Sequence, residues 1–209
     1  MKKLLRCFFF WRVRYPDWKE FERHIQLARS RGQSVVMVTH DVGLCNGNTP
    51  GCGNMLLAEA LKRVTERYPA IPVLAQLGVA MAARELGVSV TKVIGPPSAD
   101  TPLDRSTGEY NTRTVIGCQK QWCEEHEKFP ALALTLAIPL HIGRVMWVME
   151  KEGFTVLPIP PLSLRGRDYT DTKSLYFSIR VAGAVPWGIL ILYAREILAR
   201  VLFWKRGWM

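Results

Sequence analysis

The chain has 209 residues, 48% of them apolar and 22% charged, with a formal net charge of +10, a balance that excludes long disorder and provides for one substantial core. Nine Lys/Arg face three Asp/Glu in residues 1–31 and eight face three in 165–209, so the excess charge sits at the two ends. Met1–Arg6 begins like a secretory leader, but Arg6, Arg12 and Arg14 interrupt the apolar stretch, so neither a leader nor a spanning helix is expected.

The N-terminal segment 1–32 is basic and aromatic (Phe8, Phe9, Phe10, Trp11, Tyr15, Trp18) and reads as helical. Ser34–Thr39 is a β-branched run expected to form a fully buried first strand, and His40–Asn54 after it is dense in Gly, Asn, Asp and Pro, a loop composition. Met55–Tyr68 carries apolar residues at helical spacing (Leu57, Ala60, Leu61, Val64), stops before Pro69, and leads to a second strand at Ile71–Ala75. Gly78–Leu86 is a helix for which Gly87 supplies a left-handed cap, and Val88–Ile94 is a third strand ended by Pro96-Pro97. A loop runs to Gly108. Then come a helix at Glu109–Lys128, an apolar strand at Ala131–Ile138, a helix at Leu140–Glu152 ending at Gly153, and a short strand at Phe154–Leu157. From about Thr172 to Lys205 the pattern is helical only, with a break at Gly183–Pro186; the uncharged run Ala182–Ala194 is shorter than the roughly twenty residues that cross a bilayer.

Repeated strand–helix alternation predicts an α/β fold: a Rossmann-like open parallel sheet of about five strands with helices on both faces, plus a C-terminal helical segment. Residues 33–165 form the α/β domain, with 1–32 and 166–209 flanking it. Five cysteines (Cys7, Cys45, Cys52, Cys118, Cys123) form neither a CxxC pair nor any zinc-ligand spacing with histidine. Reduced thiols, no metal and a cytoplasmic location are expected.

In an open parallel sheet ligands bind beyond the carboxyl ends of the strands, which points to three clusters. The first is His40 and Asp41 with the loop Gly43–Gly53; its Gly43-Leu44-Cys45-Asn46-Gly47 fits neither a phosphate-loop nor a dinucleotide fingerprint. The second is Asp104, Arg105, Ser106, Thr107, Asn111 and Thr112, polar groups ahead of a helix, where helix capping competes with ligand binding as the explanation. The third is His141 and Arg144, three residues apart in the first turn of the helix after the fourth strand, so both project from one side. Arginine there suits a phosphate or carboxylate, and histidine can donate to an anion or move a proton.

The stretch Leu134–Pro158, a strand leading into His141-Ile-Gly-Arg144, then Gly153 and a Val-x-Pro strand, resembles the most recognisable segment of the YdcF/SanA/ElyC-like family of bacterial proteins. Asp104-Arg-Ser-Thr-Gly-Glu-Tyr-Asn111-Thr112 is similar to that family's acidic-Arg-Ser-x-Asn-Thr segment with a few residues inserted, and Trp204-Lys-Arg-Gly207-Trp208 to its Gly-Trp ending. Thr39-His40-Asp41 and Gln76-Leu77-Gly78-Val79 stand where the family has glycine-rich turns, and Thr114-Val115 where it has Glu-Asn. The resemblance implies the fold and the pocket's location, a tie to S-adenosylmethionine as cofactor or ligand, and a link to the cell envelope.

The expected function is binding of a small anionic or nucleotide-like ligand by Arg144, with His141, His40, Ser106, Asn111 and Thr112 orienting it. An enzymatic version, phosphoester hydrolysis or group transfer, has His141 as acid or base and Asp41 as its partner. The competing expectation is a protein peripheral to an anionic membrane, the inner membrane included, that works through its basic aromatic ends. Nucleic acid is the weakest partner, since no recognised binding motif accompanies the charge.

Overall fold

Val35–Thr39 (β1) is buried along its whole length and occupies the centre of the sheet. The computed structural model describes residues 13–41, 44–45, 49–95 and 112–160, together with Ala194 and Leu198. The aromatic stretch at 8–11, Cys7, the loop cluster from Asp104 to Asn111 (Ser106 included) and the rest of the C-terminal helical segment lie outside the described residues.

Before β1 lies helix α1 (Trp18–Ser30), whose N-cap Asp17 accepts from the Glu20 amide at 2.7 Å. The loop after β1 holds a small antiparallel ladder, β2 (Leu44–Cys45) with β3 (Thr49–Pro50), before α2 (Cys52–Arg67). Then follow β4 (Val73–Gln76), α3 (Leu77–Glu85), β5 (Lys92–Ile94), α4 (Thr112–His126), β6 (Leu132–Leu136), α5 (Pro139–Lys151) and β7 (Thr155–Pro158). The main sheet has five strands in the order β5-β4-β1-β6-β7, every pairing parallel. The fold is α/β and Rossmann-like, as the alternation predicts.

Residues along β1 alternate between two cores. Val35 and Met37 join the apolar faces of α1, α2 and α3 through Phe21, Ile25, Leu57, Leu61 and Val79. Val36 and Val38 join those of α4 and α5 through Ile116, Cys123, Ile142, Val145 and Met149. Helices thus cover both faces, and β1 and β6, apolar on both sides, are the strands that read as continuous hydrophobic runs.

Local details shift several predicted boundaries. Strand β4 starts at Val73 rather than Ile71, because the Ile71 amide turns back to the Tyr68 carbonyl and Pro72 has no amide for the ladder. The expected strand from Val88 shrinks to Lys92–Ile94: the Val88 amide donates to the Ala83 carbonyl and Gly87 to Arg84, closing α3 in a left-handed cap with Gly87 at φ +71°. Gly153, at φ +96°, ends α5 the same way. Helix α2 begins three residues earlier than its apolar spacing suggests, on Gly51 as N-cap.

Candidate functional site

Strand order runs outward from β1 through β4 to β5, then resumes on the other side of β1 with β6 and β7. Such a reversal opens a crevice beyond the carboxyl ends of the two central strands, because their following helices leave to opposite faces. Here the strand order reverses between β1 and β6. His40 follows β1 and is tied to β6 by its amide, which donates to the Leu136 carbonyl at 3.0 Å. His141 enters from the first turn of α5, just after β6.

The two imidazoles meet edge to face, with ring centroids 6.1 Å apart. Arg144, one helical turn beyond His141, donates from Nη2 to His141 Nδ1 at 2.8 Å. The α5 terminus itself has little to offer an anion. Pro139 supplies no N–H, and the amides of His141 and Ile142 both donate to the Ile138 carbonyl. An anion placed at this edge would therefore meet side chains rather than the His141 and Ile142 amides.

His40 is enclosed, 1% exposed, and burial above all, with the Arg144 charge nearby adding to it, lowers its pKa to about 3. It is a neutral imidazole at any physiological pH. Gln119, from α4, lies beside it and is also fully buried. Although Gln119 is close enough to favour the protonated form of His40, neither His40 Nε2 nor either amide atom of Gln119 completes a hydrogen bond among the described residues. The Thr39 hydroxyl at the end of β1 is in the same state. A cluster of enclosed polar atoms with no partner among the described residues is unusual in a folded interior.

Asp41 faces the neighbouring turn. Its Oδ2 accepts from the Gly78 amide at 3.0 Å, at the start of α3, and its own amide donates to Gln76 Oε1 at 3.1 Å. The carboxylate thus seats on a helix N-terminus, where its charge is favoured. Buried Asn54, from α2, packs beside it, so close to Gly78 that a Cβ there would stand 2.5 Å from Asn54 Nδ2.

Of the residues expected at the site, the structure brings together His40, His141 and Arg144. Asp41 takes the α3 turn, and Thr112 is the first residue of α4. Ser106 and Asn111 lie outside the described residues. Gln119, Gln76 and Asn54 were not anticipated. Gln119 had a legible signal, a polar residue on the apolar stripe of its helix with Ile116 and Cys123. Cys52, Cys118 and Cys123 carry free thiols, and no group of three or more potential metal ligands occurs among the described residues. At the opposite end of the strands an open groove of about 610 Å³ is lined by Arg29, Gln33, Ser34 and the segment Glu125–Lys128. It lies away from the strand-order reversal, and Gln33 there is already bonded to the Pro130 carbonyl and to Thr155.

No described helix is long and apolar enough to cross a membrane. No family model, no curated protein and no solved structure matches the chain.

Proposed function

We propose that this chain binds a small anionic or nucleotide-like ligand in the crevice between the carboxyl ends of β1 and β6, as its resemblance to YdcF-like proteins implies. The observation that carries this reading is the meeting of His40, His141 and Arg144 at the reversal of strand order, next to the enclosed amide of Gln119. The Arg144 guanidinium supplies the charge for an anionic group, and the buried polar atoms of Gln119 and His40 suit a less charged part of the same molecule. The protein acts in the cytoplasm on this reading.

The test is to purify the full chain without denaturation, release whatever accompanies it, and identify the molecules by mass spectrometry. A stoichiometric phosphorylated or carboxylated metabolite is the expected result. Arg144→Ala should then weaken its retention by about 1.5–3 kcal/mol, the range for a charge-assisted hydrogen bond, with the fold intact. No small molecule, and no loss on Arg144→Ala in titrations with inorganic phosphate, would refute the reading.

A second reading, peripheral contact with an anionic membrane, rests on Leu198. It is 59% exposed and lies one helical turn from exposed Ala194. Neutralising Lys205 and Arg206 should reduce association with anionic vesicles by about 1 kcal/mol per charge at low salt. Absence of vesicle binding by the unaltered protein would remove this reading.

A further inference from the structure

Helix α4 buries one polar side chain among apolar ones. Gln119 stands between Ile116 and Cys123 on the buried stripe of the helix. Period two carries His40 to the face of the sheet on which Val36 and Val38 meet α4 and α5, so its imidazole lies beside that carboxamide. Three enclosed atoms sit there, His40 Nε2 and both amide atoms of Gln119, and none has a hydrogen-bond partner among the described residues. A turn of the amide would not settle all three. One ring nitrogen exchanges one hydrogen bond with one amide atom, which leaves the other amide atom unsatisfied. A buried carboxamide in this state costs stability, and here it stands next to the edge where His40, His141 and Arg144 meet.

We propose that Gln119 is a specificity-determining residue whose carboxamide, with His40 alongside, takes the neutral edge of a nucleobase that carries an acceptor next to a donor. A carboxamide presents the complementary pair, a donor beside an acceptor, at the spacing such an edge requires. Gln119 has no charge and His40 is a neutral imidazole, so a carboxylate or phosphate placed against them would lose its hydration for little in return. An alkyl group there would leave the amide unsatisfied. The ligand class narrows from any small anion to nucleotides. This inference rests on the binding reading above, in which Arg144 holds the anionic end. The enclosed amide reaches the base by its own rotation, which no hydrogen bond among the described residues restrains.

The test is calorimetric titration of the full chain with AMP, UMP, ribose-5-phosphate and inorganic phosphate. At least one of the two nucleotides should bind about tenfold or more tighter than ribose-5-phosphate, which has the anion but no base, and in Gln119→Met that ratio should fall below about threefold. In the unaltered protein the side-chain amide signal of Gln119, assigned through its backbone by nuclear magnetic resonance, should shift with the nucleotide and stay in place with ribose-5-phosphate. That spectrum decides the matter even where Gln119→Met fails to fold. Equal affinity for nucleotides and ribose-5-phosphate, a ratio that survives in Gln119→Met, or an amide signal that ignores the nucleotide overturns the proposal and leaves the anion site standing. Failure of all four probes to bind refutes the binding reading itself, and this inference falls with it.

Discussion

Gln119→Met is expected to stabilise this protein. The carboxamide of Gln119 is fully buried, and among the described residues neither its oxygen nor its nitrogen has a hydrogen-bond partner. Each such group loses its hydration on folding without replacement, a penalty of about 1–3 kcal/mol. Methionine has nearly the same shape and volume, fills the same space between Ile116 and Cys123 on the α4 face, and removes both polar atoms. Allowing for partial relaxation of the amide toward His40, we expect a net gain of about 1–2 kcal/mol, or roughly 3–6 °C in Tm for a chain of this length. Urea unfolding followed by circular dichroism should show a higher midpoint at an unchanged slope. His40 Nε2 already lacks a completed hydrogen bond among the described residues, so the substitution orphans no further described atom. Destabilisation by 1 kcal/mol or more would show that Gln119 is satisfied within the fold, and the polar pocket beside His40 would have to be abandoned. A gain in stability would identify Gln119 as a residue kept at the expense of the fold, as binding sites often are.

Stability should also depend on pH through His40. Its pKa is lowered from 6.5 to about 3 in the folded chain, so the unfolded state alone takes up the proton as pH falls below 6.5. Stability that is complete above that value is lost on the way down to about 3, at up to roughly 1.4 kcal/mol per pH unit. Between pH 6.5 and 5.5 the unaltered protein should lose about 1 kcal/mol more than His40→Asn; parallel curves would argue against a buried neutral imidazole. Gly78→Ala should destabilise by about 1–3 kcal/mol despite the better helix propensity of alanine, since its Cβ would stand 2.5 Å from Asn54 Nδ2 and 2.9 Å from Asp41 Oδ2. Thermal melts showing a more stable variant would mean that Asn54 yields easily. Mass-spectrometric mapping of alkylation in the native state should find Cys52 and Cys118 modified quickly, and Cys123 slowly because burial pushes its thiol up to about 12. Equal rates at the three positions would contradict the packing of α4 on the sheet.

The sequence by itself determined the fold class, because its signals there are local. A β-branched run at Val35–Thr39 and an apolar run at Leu132–Leu136 have no polar face to expose, so they can only be central strands, and apolar spacing of three and four residues marks the helices between them. His141 and Arg144 were legible as a pair for the same reason: they share a helix, and three residues place them on one side. Their closeness to His40 followed only in part, from the rule that places both loops at the carboxyl edge. That β6 lies directly against β1, so that His40 can donate its amide to Leu136, depends on strand order, which no local pattern encodes. Gln119 reaches His40 from a residue 79 positions away through the packing of α4 on the face opposite α2, and the Asp41 carboxylate accepts from the Gly78 amide beyond the end of the neighbouring strand β4, a contact with no signal in the sequence. Periodicity tells each element which side to bury; which buried sides meet is settled only when the sheet closes, because those pairings join residues whose separation along the chain carries no energetic preference until the core excludes water.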